Sequence, residues 1–168
     1  MMKRVIWMLA LLLLLACAPK EDAVFVDPNA KQGGKYGTLY FEADGVRFGV
    51  FDAADDVFSA LPQNNGTFVG TSCAFADSQD TFYSYDGFQI MTNVYDVERV
   101  TAITIADDTV RTPQGVYIGM TVSDAENALG MEAQTGGFLQ TEGTCTLSVV
   151  VQDGVVTAIQ YVPAEGLL

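Results

Sequence analysis

The sequence predicts an α+β domain of two tandem units, each a lead strand, a short helix and an antiparallel meander, with the short helices on one face of the sheet. Three observations lead there. The run Val100-Thr101-Ala102-Ile103 returns as Val156-Thr157-Ala158-Ile159, and Gly115-Val116-Tyr117-Ile118-Gly119-Met120 resembles Gly45-Val46-Arg47-Phe48-Gly49-Val50. Phe88 to Val94 alternates apolar and polar residues with period two, the pattern of a half-buried strand, and further strand-like runs bounded by turn residues precede and follow it. Two short stretches switch to helical spacing between turn residues, and one short helix per unit covers only one face of a sheet.

The first unit spans 37–110. Gly37 to Ala43 leads into Asp44-Gly45, a hairpin turn signal, and residues 46–50 return as a strand. Asp52 is a fair N-cap for a helix that carries Asp55 and Asp56 in its first turn and ends at Pro62. Strands follow over 71–76 and 80–86, then Asp86-Gly87 turns the chain into Phe88–Val94, and Glu98–Ala106 closes the meander. The second unit spans 111–168. Its lead strand is 115–120, and its helix starts at a Thr121 or Ser123 cap and stops at Gly130. Strands at 138–142 and 144–152 and a turn at Asp153-Gly154 complete it, with the late strands offset by 56 residues from their counterparts.

The segment before residue 37 reads differently. Met1-Met2-Lys3-Arg4 is a short basic stretch, and Val5 to Ala16 is wholly apolar. Twelve residues of helix reach roughly 18 Å, short of the ~30 Å of hydrocarbon in a bilayer, so the run fits a signal-peptide core. It ends Leu14-Leu15-Ala16-Cys17, which resembles the lipobox of bacterial lipoproteins. That resemblance implies removal of residues 1–16 and a thioether between Cys17 and diacylglycerol. It places the mature chain on the extracytoplasmic face of the cell membrane, where two acyl chains hold a protein stably. Residues 17–36, with two prolines, Gly33-Gly34 and scattered charge, read as a flexible tether of roughly 25 Å root-mean-square reach.

Without residues 1–16 the chain has six basic residues against 21 acidic ones, a net charge of −15. Such a field repels nucleic acid and anionic headgroups and favours basic partners. The chain has no histidine, which removes the usual general base, zinc ligand and Ser-His or Cys-His pairings. Close aspartates, Asp77 with Asp80 and Asp52 with Asp55 and Asp56, read as turns and caps, with calcium the alternative. No catalytic group, cofactor or metal is expected. Beyond Cys17 only Cys73 and Cys145 remain. An oxidising compartment suggests a bridge between them, while buried thiols are the alternative; the two positions are unlike in the repeat.

On period two, Tyr83 and Tyr85 lie opposite Phe82, and Met91 and Tyr95 lie opposite Phe88 and Ile90. If the helices cover Phe88 and Ile90, Tyr83, Tyr85, Met91 and Tyr95 line an open, binding face; the alternative is a second core layer. Thr112-Pro113-Gln114-Gly115-Val116-Tyr117-Ile118-Gly119-Met120-Thr121, followed by a helix ending Leu129-Gly130, resembles the BamE/SmpA lipoprotein module. Its doubling resembles β-lactamase inhibitor proteins. Ser72-Cys73-Ala74-Phe75-Ala76 with the tyrosine-rich stretch after it resembles a further group of bacterial lipoproteins. The resemblance covers about 40–162 and implies a non-catalytic module that binds another protein through its sheet face, or a structural subunit of a cell-envelope assembly.

Overall fold

A computed structural model describes residues 39–73, 77–94 and 96–167. Residues 1–38, which include the expected signal segment, Cys17 and the expected tether, lie outside the described residues, as do Ala74–Ala76, Tyr95 and Leu168. In chain order the elements are β1 (Phe41–Ala43), β2 (Val46–Phe48), α1 (Ala54–Ala60), β3 (Gly66–Thr71), β4 (Gln79–Tyr85), β5 (Phe88–Val94), β6 (Glu98–Ile105), α2 (Val122–Leu129), β7 (Gly137–Glu142), β8 (Cys145–Gln152) and β9 (Val155–Pro163).

The expected pair of helix-plus-meander units is not what forms. Among the described residues the chain is mostly strand, and seven strands make one antiparallel sheet in the order β3-β4-β5-β6-β9-β8-β7. The helices are only seven and eight residues long. The second lead strand, 115–120, is not a strand: Gly115 and Gly119 both sit at φ 91°, outside the range of extended chain, and each belongs to a turn. Its counterpart, β2, pairs with β1 in a separate two-stranded hairpin. A strand not expected there, β3, runs up to Thr71, and its Gly66 and Gly70 disguise a strand as a loop; half of the strand expected at 71–76 falls at Ala74–Ala76, outside the described residues.

What repeats is a bulge. Met91 pairs with Ala102 but Thr92 with Val100, so Thr101 is the extra residue on β6. Val150 pairs with Ala158 but Val151 with Val156, so Thr157 is the extra residue on β9. Both threonines belong to the repeated Val-Thr-Ala-Ile, and each hydroxyl donates across its bulge, Thr101 to Met91 O at 3.2 Å and Thr157 to Val150 O at 3.5 Å. The extra residue lets Val100 and Ile103, three apart, both face the core.

One face of the sheet carries that core. Phe88, Ile90, Val100, Ile103, Ile105, Leu147, Val149, Ile159 and Tyr161 are buried there, under Phe41 and Phe48 of the hairpin, Phe51, Val57 of α1, Val116 and Ala125 of α2. Phe41 anchors the hairpin with its ring 5.4 Å from Phe48, 5.0 Å from Phe88 and 6.0 Å from Tyr161. α2 is capped by Thr121, whose Oγ1 accepts from Asp124 N–H at 3.2 Å, and ends at Gly130 in the left-handed region. α1 has no side-chain cap; Asp52 instead accepts from Gly49 N–H at 2.9 Å and closes the turn ahead of the helix.

Candidate functional site

Tyr83 and Tyr85 face the core side of the sheet, not the open one. A two-residue hairpin at Asp86-Gly87 sets Tyr85 opposite Phe88 and Tyr83 opposite Ile90. Directly opposed residues share a face, so both tyrosines lie with the apolar side chains they were expected to oppose. The Tyr85 ring stacks on Phe88 at 4.8 Å between centroids, and the Tyr83 ring meets Phe58 of α1 at 4.3 Å. The Tyr83 hydroxyl donates to Glu98 Oε1 at 3.0 Å, and the same oxygen accepts from Thr92. Burial, then the hydrogen bond to the Glu98 carboxylate, push the Tyr83 phenol up to about 12; burial also raises that of Tyr85.

Met91 does lie on the opposite face. There it pairs with Phe82 on one side and Ala102 on the other, and Phe82 pairs with Phe68 of β3. The result is an apolar row, Phe68–Phe82–Met91–Ala102, crossing four strands. Phe68 is 66% exposed, and its ring is 5.9 Å from that of Phe82. Beside it runs a polar row in register across six strands: Ser84, Gln89, Thr104, Gln160, Ser148 and Leu139, polar but for its last member. Gln89 donates to Ser84 Oγ and Gln160 to Thr104 Oγ1, each at 3.2 Å. Among the described residues no helix lies over this row; toward the β3–β4 connection the same face closes over Asn93 and Asp80, both buried. Phe68 and Phe82 are the residues that period-two reading alone missed; the register of the Asp86-Gly87 turn was the signal that could have found them.

β3 is an edge strand, paired only with β4 among the described residues. Its sequence, Gly-Thr-Phe-Val-Gly-Thr, has no charge and no proline. Ser72 N–H donates to Ser78 O at 3.0 Å. From that pair the antiparallel alternation directs Phe68 and Gly70 toward β4 and turns the N–H and C=O groups of Thr67, Val69 and Thr71 outward. Beyond the Gly66 end lies a cleft of about 480 Å³, with Asn65, Tyr85 and Phe88 in its walls and the carboxylates of Glu42, Asp44 and Asp86 at it. Arg111 also lines the cleft, its guanidinium held over the Tyr117 ring at 4.0 Å, and Glu42 is paired to Arg47 at 2.6 Å.

Cys145 is a free thiol buried in the core, so the expected bridge between Cys73 and Cys145 is not made. Burial, with the Glu142 carboxylate second, pushes the Cys145 thiol up to about 12, the behaviour of an inert core side chain. Asp80 accepts from Asn93 Nδ2 at 2.7 Å, and Ser78 Oγ donates to Asn93 Oδ1 at 2.8 Å, a buried network that fixes the start of β4. Among the described residues no group of three or more carboxylate, thiol or imidazole side chains is placed to hold a metal ion.

Comparison with protein families, curated proteins and solved structures finds no match for this chain.

Proposed function

We propose that the chain is a non-catalytic protein-binding module, held on the extracytoplasmic face of the cell membrane by acyl chains on Cys17, and that its contact surface is the uncovered sheet face. The apolar row Phe68–Phe82–Met91, in register and bordered by glutamine, serine and threonine, carries the reading. Aromatic and methionine side chains ringed by polar groups are the composition of interface centres. The basic start, twelve apolar residues and Leu14-Leu15-Ala16-Cys17 support the anchor.

A photoreactive residue at position 91 of the full chain in its native membrane tests the surface. The expected result is a discrete protein adduct that is absent when the same group stands at the exposed Thr157. Adducts to lipid alone, or none, overturn it. A partner that co-purifies in fixed stoichiometry supports instead a structural subunit of an envelope assembly. Intact mass tests the anchor: a diacylglycerol thioether on Cys17 is expected. A mature chain whose mass lacks that group refutes it.

A further inference from the structure

Among the described residues the outer edge of β3 is unpaired, and it ends in an acidic cleft. We infer that β3 accepts an extended segment of a partner protein as an eighth strand, and that this segment is uncharged and β-prone along its length and basic at its ends. The inference rests on the protein-binding reading above and names the partner's chemistry.

Sheets with exposed edges blunt them with charge, proline, bulges or a covering element, because a free row of N–H and C=O groups templates pairing. β3 has no charge and no proline, and its six residues pair with β4 without a shift of register. Its outward groups, on Thr67, Val69 and Thr71, give one bonding site every second residue over about 20 Å. The flanking residues supply charge of one sign. Asp77 is exposed beyond the Thr71 end, and Asp86 and Asp44 lie at the cleft beyond the Gly66 end. A strand laid along β3 therefore meets carboxylates at both ends and none between. The half-buried Tyr85 ring in the cleft wall suits the aliphatic stem and cationic head of a lysine or arginine. A second copy of the chain is a poor occupant: it would bring the same carboxylates against these, with a net charge of −13 on each full chain.

The test uses the full chain in detergent micelles and two synthetic peptides, Thr-Val-Thr-Val-Thr-Val flanked by lysines and the same core flanked by glutamates. With the lysine peptide, hydrogen exchange at the Thr67, Val69 and Thr71 amides slows at least tenfold while Phe68 and Gly70 change little. The glutamate peptide gives no protection. Val69→Pro removes an outward N–H only, so circular dichroism stays native while lysine-peptide affinity falls at least tenfold. If that variant fails to fold, Asp77→Asn with Asp44→Asn serves: both sites have positive φ that asparagine tolerates, and affinity falls several-fold. No protection by the lysine peptide, equal binding of both peptides, or a β3-mediated dimer in sedimentation overturns the inference. If position 91 captures a protein partner while the peptide leaves β3 unprotected, the edge proposal fails and the protein-binding reading stands. If neither responds, both fail.

Discussion

β3 and β7 close the sheet at its two ends, and each is six residues long. Their beginnings could hardly differ more. β7 starts under a fold of its own chain: Gln134 and Gly137 exchange hydrogen bonds of 2.8 and 3.0 Å, and Val151 N–H reaches Gly136 O at 2.9 Å. Gly137 and Phe138 are buried, and a Cβ at Gly137 would come within 1.9 Å of Val149 O. β3 starts in the open, with nothing within 4 Å of where a Cβ at Gly66 would stand. β7 also ends on Glu142, whereas β3 has no charge. Local backbone closes β7 at its first residue; among the described residues nothing does the same at the start of β3. An edge that natural sheets usually blunt, uncharged and unpaired among the described residues, is better explained by use than by neglect.

The largest effect that sharpens this contrast is expected at Gly137. Gly137→Ala puts a methyl group into backbone at φ 137°, and stability should fall by about 3 kcal/mol or more, roughly 10 °C in melting temperature. An equal loss for Gly66→Ala would break the contrast. Next comes the half-buried Tyr83, next to β3 on the core side. Tyr83→Ala should cost about 3 kcal/mol through the lost ring packing on Phe58. Tyr83→Phe should cost about 1 kcal/mol through the lost hydrogen bond to Glu98. Urea denaturation measures both, and a loss under about 0.5 kcal/mol for Tyr83→Ala would return that side chain to an open surface.

Alkaline pH should weaken the fold in a defined window. The Cys145 thiol rises from an ordinary value of 9.0 to about 12, and the Tyr83 phenol from 10.0 to about 12. Both are acids whose neutral form the fold prefers, so the unfolded chain loses these protons first. The stability they contribute is complete below about pH 9 and drains as pH climbs toward 12. Chemical denaturation from pH 8 to 11.5 should show the decline, and Cys145→Ala should delay its onset. The smallest effect belongs to Phe68, whose exposed ring should be replaceable by serine within about 0.5 kcal/mol. That variant should nonetheless weaken partner capture, which separates an interface residue from a structural one.

Short-range chemistry in the sequence was readable. Thr121 and Gly130 bracket α2 as their residue types require, and the Asp-Gly turns at 44, 86 and 153 join strand pairs. The tyrosine phase was misread because alternation fixes which residues share a face within a strand but not which face is covered. Only cross-strand register settles that, and here the two-residue turn held it. The joining of both halves into one sheet was not readable, because β6–β9 pairing depends on residues far apart in sequence. Nor was the loss of the 115–120 strand, since two glycines that look tolerable in extended chain both take positive φ. Of the expected surface, Met91 lies on the open side and the two tyrosines do not; Phe82 joins it from β4, expected as a strand, and Phe68 from β3, where no strand was expected.

The seam between the two halves is narrow. β6 and β9 share three paired residues, Ile103 with Tyr161, Thr104 with Gln160 and Ile105 with Ile159. A nick between Asp107 and Asp108, both exposed, would leave four adjacent strands on one fragment and three on the other. Neither fragment could shield its half of the Ile103–Ile105–Ile159–Tyr161 patch alone. The two should therefore complement each other, reassembling from separate solutions as a split protein whose join is the β6–β9 ladder.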